Sequence, residues 1–98
     1  MEAALKFIDE NLTQKISLEE IANIANMNPT YFSSIFKKLN GISLWEYITA
    51  KRVDKAIELL RTTNANKLEI AMDCGFNSSS NFYKAFYHVT GKKPGDFK

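Results

Sequence analysis

Cysteine and histidine each occur once in these 98 residues, proline twice and glycine four times. A lone cysteine cannot close an internal disulfide, so nothing in the chain asks for an oxidising compartment. One imidazole, one thiol and scattered carboxylates do not make up a zinc site or a nucleophile–base pair. No metal, cofactor or catalytic residue is therefore expected, and an enzyme is the least favoured class. The longest unbroken apolar run is three residues, which leaves no membrane span and no signal-peptide core. Charge of one sign is also scarce: 13 Lys and Arg stand against 11 Asp and Glu, a net +2. What is present is a folded composition, 45% hydrophobic and 12% aromatic. The length fits one domain, or two very small subdomains sharing a core.

The charge is unevenly spread. Residues 1–28 carry Glu2, Asp9, Glu10, Glu19 and Glu20 against Lys6 and Lys15. Residues 29–53 carry Lys37, Lys38, Lys51 and Arg52 against Glu46 alone. A weakly basic face, suited to a polyanion, competes with a solvated surface of mixed charge.

Apolar spacing is helical nearly throughout, and the spacing predicts an all-α fold. Leu5, Ile8 and Leu12 mark a first helix near 2–13. Ser17-Leu18-Glu19-Glu20 reads as a capping box, in which Glu20 reaches back to the Ser17 amide. It opens a short helix with Leu18, Ile21, Ala22 and Ala25 inward. Asn28 caps a third helix with Pro29 at its first position, and Gly41 stops it. Phe32, Ile35, Phe36 and Leu39 form its inward face. Ser43 opens a long helix of about 44–61, roughly 27 Å at ~1.5 Å per residue. Asn66, with Glu69 three residues on, caps a fifth helix ending at Gly75. Ser78 caps a sixth carrying Phe82, Phe86 and Val89, closed by Gly91, and Pro94 and Phe97 follow in a short tail. Trp45 and the seven phenylalanines are expected in the core. Cys74 is expected as a small buried hydrophobe and His88 as an exposed residue near a helix end.

The pattern repeats. Shifted by 49, Ser17, Glu20, Ile21 and Ala22 fall on Asn66, Glu69, Ile70 and Ala71. Shifted by 50, Asn28, Phe32, Phe36, Gly41 and Tyr47 fall on Ser78, Phe82, Phe86, Gly91 and Phe97. One residue is inserted between the blocks. The matched positions are caps, core and turns, and the positions between them differ. Each copy is a short capped helix, a turn and a longer helix, the helix-turn-helix layout. Lys67 breaks the match, standing where Leu18 stands in the first copy. Either Leu68 replaces it by rotation of the helix start, or the Lys67 stem lies over the core with its amine in water.

Ile16-Ser17-Leu18-Glu19-Glu20-Ile21-Ala22, Tyr31-Phe32-Ser33, Phe36-Lys37-Lys38 with Gly41, Arg52 with Ala56 and Leu59-Leu60, Glu69-Ile70-Ala71 with Gly75-Phe76, and Phe82, Phe86, Gly91, Pro94 and Phe97 together resemble the DNA-binding domain of the AraC/XylS family of bacterial transcription regulators. The resemblance spans about residues 4–97. It implies two helix-turn-helix units, about 4–42 and 64–98, joined by a linker helix of about 43–61. Each unit would send its second helix into the major groove of double-stranded promoter DNA. It further implies a cytoplasmic, nucleoid-associated regulator, usually an activator that contacts RNA polymerase. An effector-sensing or receiver domain commonly precedes this domain in the family.

Away from the apolar faces, the third helix offers Pro29, Thr30, Ser33, Ser34 and Lys37, and the sixth offers Ser79, Ser80, Tyr83, Lys84 and Tyr87. Short hydroxyl side chains approach base edges closely, and a lysine amine donates to guanine acceptors. By position, Pro29, Thr30, Ser33, Ser34, Ser79, Ser80, Tyr83 and Lys84 match those with which the family contacts bases. The chain departs from the family where Arg is frequent: it has Ser34 in the first unit and Lys84 in the second. A lysine lacks the arginine fork that reads guanine bidentately. Sequence reading is therefore expected to rest more on the second unit. Phosphate candidates are Lys37, Lys38, Lys51, Lys92 and Lys93, with the amides opening the second and fifth helices. Lys37 and Lys38 equally suit the negative end of their helix dipole. Arg52 equally suits a structural bridge. Ser78, Ser79 and Ser80 equally suit capping and turn chemistry. The rival to a DNA reader is a protein-interaction module that keeps the fold and binds DNA weakly or without sequence preference.

Overall fold

The computed structural model describes residues 1–97, with side chains to Asp96. Among the described residues every regular element is helical: α1 (Glu2–Glu10), α2 (Leu18–Ile24), α3 (Pro29–Asn40), α4 (Leu44–Thr62), α5 (Lys67–Asp73), α6 (Ser79–Thr90) and a 3-10 turn, η1 (Pro94–Phe97). The all-α reading holds. The chain divides into two compact units, Met1–Ile48 and Thr49–Lys98.

The first unit is built around Ala4, Ile8, Ile16, Ile21, Ala22, Phe32, Phe36, Leu44 and Ile48. α2 packs on both α1 and α3. α1 ends three residues earlier than its spacing predicts. Asn11 leaves the helical region (φ −116°, ψ 21°) and its side-chain amide donates to Phe7 O at 2.9 Å. Leu12 still packs against the core from the following turn. At α2 the Glu20 amide donates to Ser17 Oγ at 3.1 Å, as the capping box requires. The return bond differs: Glu20 Oε1 accepts from the Ser17 hydroxyl at 3.0 Å, not from its amide. At α3 the Tyr31 amide donates to Asn28 Oδ1 at 2.8 Å. Gly41, at φ 79°, takes the left-handed position that closes the helix.

The second unit repeats these devices around Val53, Ala56, Leu60, Ile70, Ala71, Cys74, Phe76, Phe82 and Phe86. The Glu69 amide donates to Asn66 Oδ1 at 2.8 Å, and the Asn81 amide donates to Ser78 Oγ at 3.2 Å. Both turns between paired helices carry the same bond. Met27 N donates to Ala22 O at 3.0 Å, and Phe76 N donates to Ala71 O at 3.0 Å. The turn residues match as well: Asn26 sits at φ 56° and Gly75 at φ 92°. Asn77 is the inserted residue, lying between Phe76 and the Ser78 cap.

Several expected core residues are outside. Leu39 is 64% exposed and Val89 39%; they occupy equivalent positions in α3 and α6. Each lies three residues past a buried phenylalanine, Phe36 or Phe86, on the edge of a stripe already filled by two rings. Ile35 is half-buried. Trp45 is 49% exposed, because Leu44 and Ile48, four apart, take the inward face of α4 and turn its neighbour out. Val53, in contrast, is fully buried without having been singled out by its spacing. Phe76 and the four phenylalanines of α3 and α6 are buried, and Phe7 packs at the edge of the first core. The Phe97 side chain lies outside the described residues. Leu68 does not take the place of Lys67. Leu68 is 56% exposed, while a β-carbon at Gly95 would meet Lys67 Nζ at 3.2 Å. Lys67 is thus half-buried against η1, with no rotation of the helix start.

An L-residue in the left-handed region is disfavoured by about 1–2 kcal/mol, and Asn tolerates it better than most. Asn26→Gly should leave stability unchanged or slightly higher, and Asn26→Val should lower it by about 1–2 kcal/mol. Urea unfolding midpoints at constant m would measure both.

Candidate nucleic-acid interface

Phe32 and Phe36 are both fully buried, and their rings lie 5.9 Å apart. With that pair inward, the opposite flank of α3 carries Thr30, Ser34, Lys37 and Lys38 exposed, with Ser33 half-buried beside them. Positions 30, 34 and 37 share one face by helical spacing. Pro29 stands at the first helical position, half-buried. Lys37 and Lys38 sit in the last turn of α3, where the helix dipole also favours cations.

The same construction recurs in α6. Phe82 and Phe86 are fully buried with ring centroids 5.7 Å apart, and Phe76 packs on Phe82 at 5.4 Å. The outward stripe consists of Ser80, Tyr83, Lys84, Tyr87 and His88, all exposed, with Ser79 half-buried at the helix start. Register for register, Ser33 and Ser34 correspond to Tyr83 and Lys84, and Lys37 and Lys38 to Tyr87 and His88. The backbone is repeated and the outward chemistry is not.

Tertiary structure adds Lys93 to this stripe. The chain turns at Gly91 and η1 folds onto α6. Lys93 and Pro94 thereby face Tyr83, Lys84, Tyr87 and His88 across an open groove of about 500 Å³. His88 and Pro94 were not among the candidate residues. His88 lies one turn beyond Lys84, a spacing visible in the sequence, whereas the approach of Pro94 is a consequence of the turn. Lys92 is exposed in the loop after Gly91, and Lys51 is exposed on α4; neither is brought to that groove.

Arg52 is half-buried on α4. It lines a polar cavity of about 250 Å³ with Thr49, the turn residues Gly75, Phe76 and Asn77, and Asn81 and Ala85 of α6. Burial lowers its pKa from the ordinary value, opposed by the nearby Cys74. Its place against the turn of the second helix pair favours the structural role. Cys74 is fully buried, and burial raises its thiol to about 11 from an ordinary 9.0. Among the described residues no group of three or more His, Cys, Asp or Glu is placed to hold a metal ion. No helix among them is long and apolar enough to cross a membrane.

A family model described as a helix-turn-helix domain matches residues 21–98. The Transposon Tn10 TetD protein of Escherichia coli is 36% identical over 94 residues, covering 96% of this chain and 68% of that protein. The Melibiose operon regulatory protein of E. coli K12 is 34% identical over 94 residues, and the chain spans 31% of its length. Among solved structures, the DNA-binding domain of AdpA, a global transcriptional factor in complex with a target DNA, superposes with a TM-score of 0.89 at 26% identity. That match covers 96% of this chain and 85% of that one. The chain belongs to the AraC-type helix-turn-helix family of DNA-binding transcription regulators.

The raised Cys74 pKa makes stability depend on alkaline pH. The unfolded thiol ionises near 9.0 and the folded thiol near 11, so the unfolded state loses its proton first and stability falls as pH rises between those values. Well below pH 9 the thiol contributes no slope. Urea unfolding of the reduced protein from pH 8 to 11 should show this fall, and Cys74→Ala should have a shallower one.

Proposed function

We propose that this member of the AraC-type family reads double-stranded promoter DNA in sequence-specific fashion through two helices, α3 and α6, entering successive major-groove segments. The observation that carries the reading is the twofold construction of one outward stripe. In α3 and α6 alike, a buried phenylalanine pair fixes the inward face, a side-chain cap fixes the start, and a left-handed glycine fixes the end. Between those fixed points lie groups of the kind that contact base edges and phosphates.

Base contacts are assigned to Pro29, Thr30, Ser33 and Ser34 in the first unit, and to Ser79, Ser80, Tyr83 and Lys84 in the second. Phosphate contacts are assigned to Lys37, Lys38, Lys51, Lys92 and Lys93. Lys84 is the strongest single candidate for guanine, since its amine sits on an exposed face between two exposed tyrosines. The first unit offers hydroxyls with no long cation at the matching place, Ser34, so it contributes less base discrimination. Two unlike readers favour an asymmetric site. Transcription activation, with RNA polymerase as partner, is the regulatory outcome the family favours. A sensing or receiver domain on the same polypeptide is consistent with the share of the melibiose regulator that this chain spans.

Footprinting of a selected site should show two protected segments about one helical turn apart, roughly 10 bp. A single short segment would contradict the two-reader model. Affinity should fall steeply with salt, with a log–log slope near 0.9 per phosphate contacted. Lys84→Ala should relax preference at one base pair at a cost of about 1 kcal/mol. Lys37→Ala should weaken selected and random duplexes alike and lower the salt slope by about 1. Equal affinity for promoter and random DNA across two salt concentrations would favour the protein-interaction module instead.

A further inference from the structure

The groove beside α6 carries more apolar surface than a base-reading stripe requires. Its volume, about 500 Å³, falls within the range of small-molecule sites. Tyr83 and Tyr87, 41% and 60% exposed, lie one turn apart and present ring surface along one wall. Pro94 is buried at the opposite side. Lys84, His88 and Lys93 also line it, and among the described lining residues there is no carboxylate. A hydrated sugar–phosphate backbone gains little from tyrosine ring surface. A compact molecule with an apolar body and one negative group satisfies both parts of the lining.

We propose that this groove binds a small amphipathic organic anion, an aromatic carboxylate of one or two rings. The ring packs against Tyr83 and Tyr87, and the carboxylate meets the ammonium groups of Lys84 and Lys93. At the matching helix positions the first unit has Ser33, Ser34 and Lys37 in place of Tyr83, Lys84 and Tyr87, so the tyrosine wall belongs to the second unit alone. Tyr83 and Lys84 also belong to the proposed base-reading stripe. Ligand and DNA therefore exclude one another there, which would make the second reader responsive to a small molecule. That exclusion rests on the DNA reading above; ligand binding itself does not.

The test is a titration of the chain with 2-naphthoate, followed by backbone amide NMR. Saturable shifts are expected at Tyr83, Lys84, Tyr87, His88 and Lys93, with little change in α3. The neutral 2-naphthamide should bind at least about fivefold more weakly, since it lacks the charge-assisted contact. Tyr87→Ala with Lys93→Ala should weaken naphthoate about tenfold, at an unchanged urea midpoint. If that double variant unfolds, Lys93→Glu, a change at one exposed position, provides the same comparison. Equal binding of the amide, shifts spread over both α3 and α6, or no saturation would overturn the proposal. Duplex DNA shifting the groove amides when naphthoate does not would also overturn it, identifying the groove as DNA contact surface. Naphthoate binding with no DNA binding would instead sink the DNA reading and leave the ligand site standing.

Discussion

Two phenylalanines four residues apart, buried on one side of a twelve-residue helix, decide what the rest of that helix can do. In α3 the pair is Phe32 and Phe36; in α6 it is Phe82 and Phe86. Each fully buried ring contributes on the order of 2–3 kcal/mol, far more than any surface group on the same helix. Rotating either helix about its axis would expose both rings at once, so the outward face is set by what lies beneath it. The residues that would meet DNA need no partners of their own to hold their direction.

The surrounding devices follow from that constraint. Caps at Ser17, Asn28, Asn66 and Ser78 start the helices where their buried faces begin. The left-handed residues Asn26 and Gly75 turn each short helix into its longer partner. The inserted Asn77 is accommodated in the stretch before the α6 cap, where an extra residue disturbs neither helix. The repeat has thus kept most of the positions that hold the backbone, with Lys67 in place of Leu18 an exception, and varied those that face outward. Serines stand where the other copy has tyrosine and lysine, and one lysine at the first copy's helix end has become the tyrosine that walls a groove.

Most of the architecture was legible in the sequence because its signals are local. A cap needs one side chain and the amide three residues on. A stop needs one glycine, and a repeat needs only its matched positions. The same holds for the stripes, since helical spacing alone places Thr30, Ser34 and Lys37, or Ser80, Lys84 and Tyr87, on one side. Local signals failed at the borders of apolar faces. Leu39, Val89 and Trp45 are hydrophobic at helical spacing, yet all three are substantially exposed. Spacing identifies a stripe but not its width, which depends on how much neighbouring surface is available to cover it. The family resemblance extended this reading to function, through residues that are mostly structural.

The amino-acid order by itself determined six helices, the caps and stops of most of them, the repeat, and the direction of each outward stripe. These depend on interactions between residues at most four apart, or on identities that can be matched by eye. The tertiary structure decided which border residues are covered, that Lys67 brings its amine end against η1, and that Lys93 and Pro94 close a groove beside Tyr83 and Tyr87. Those outcomes require segments separated along the chain to meet, and their meeting depends on the left-handed turn at Gly91 and on the packing of η1 against α6.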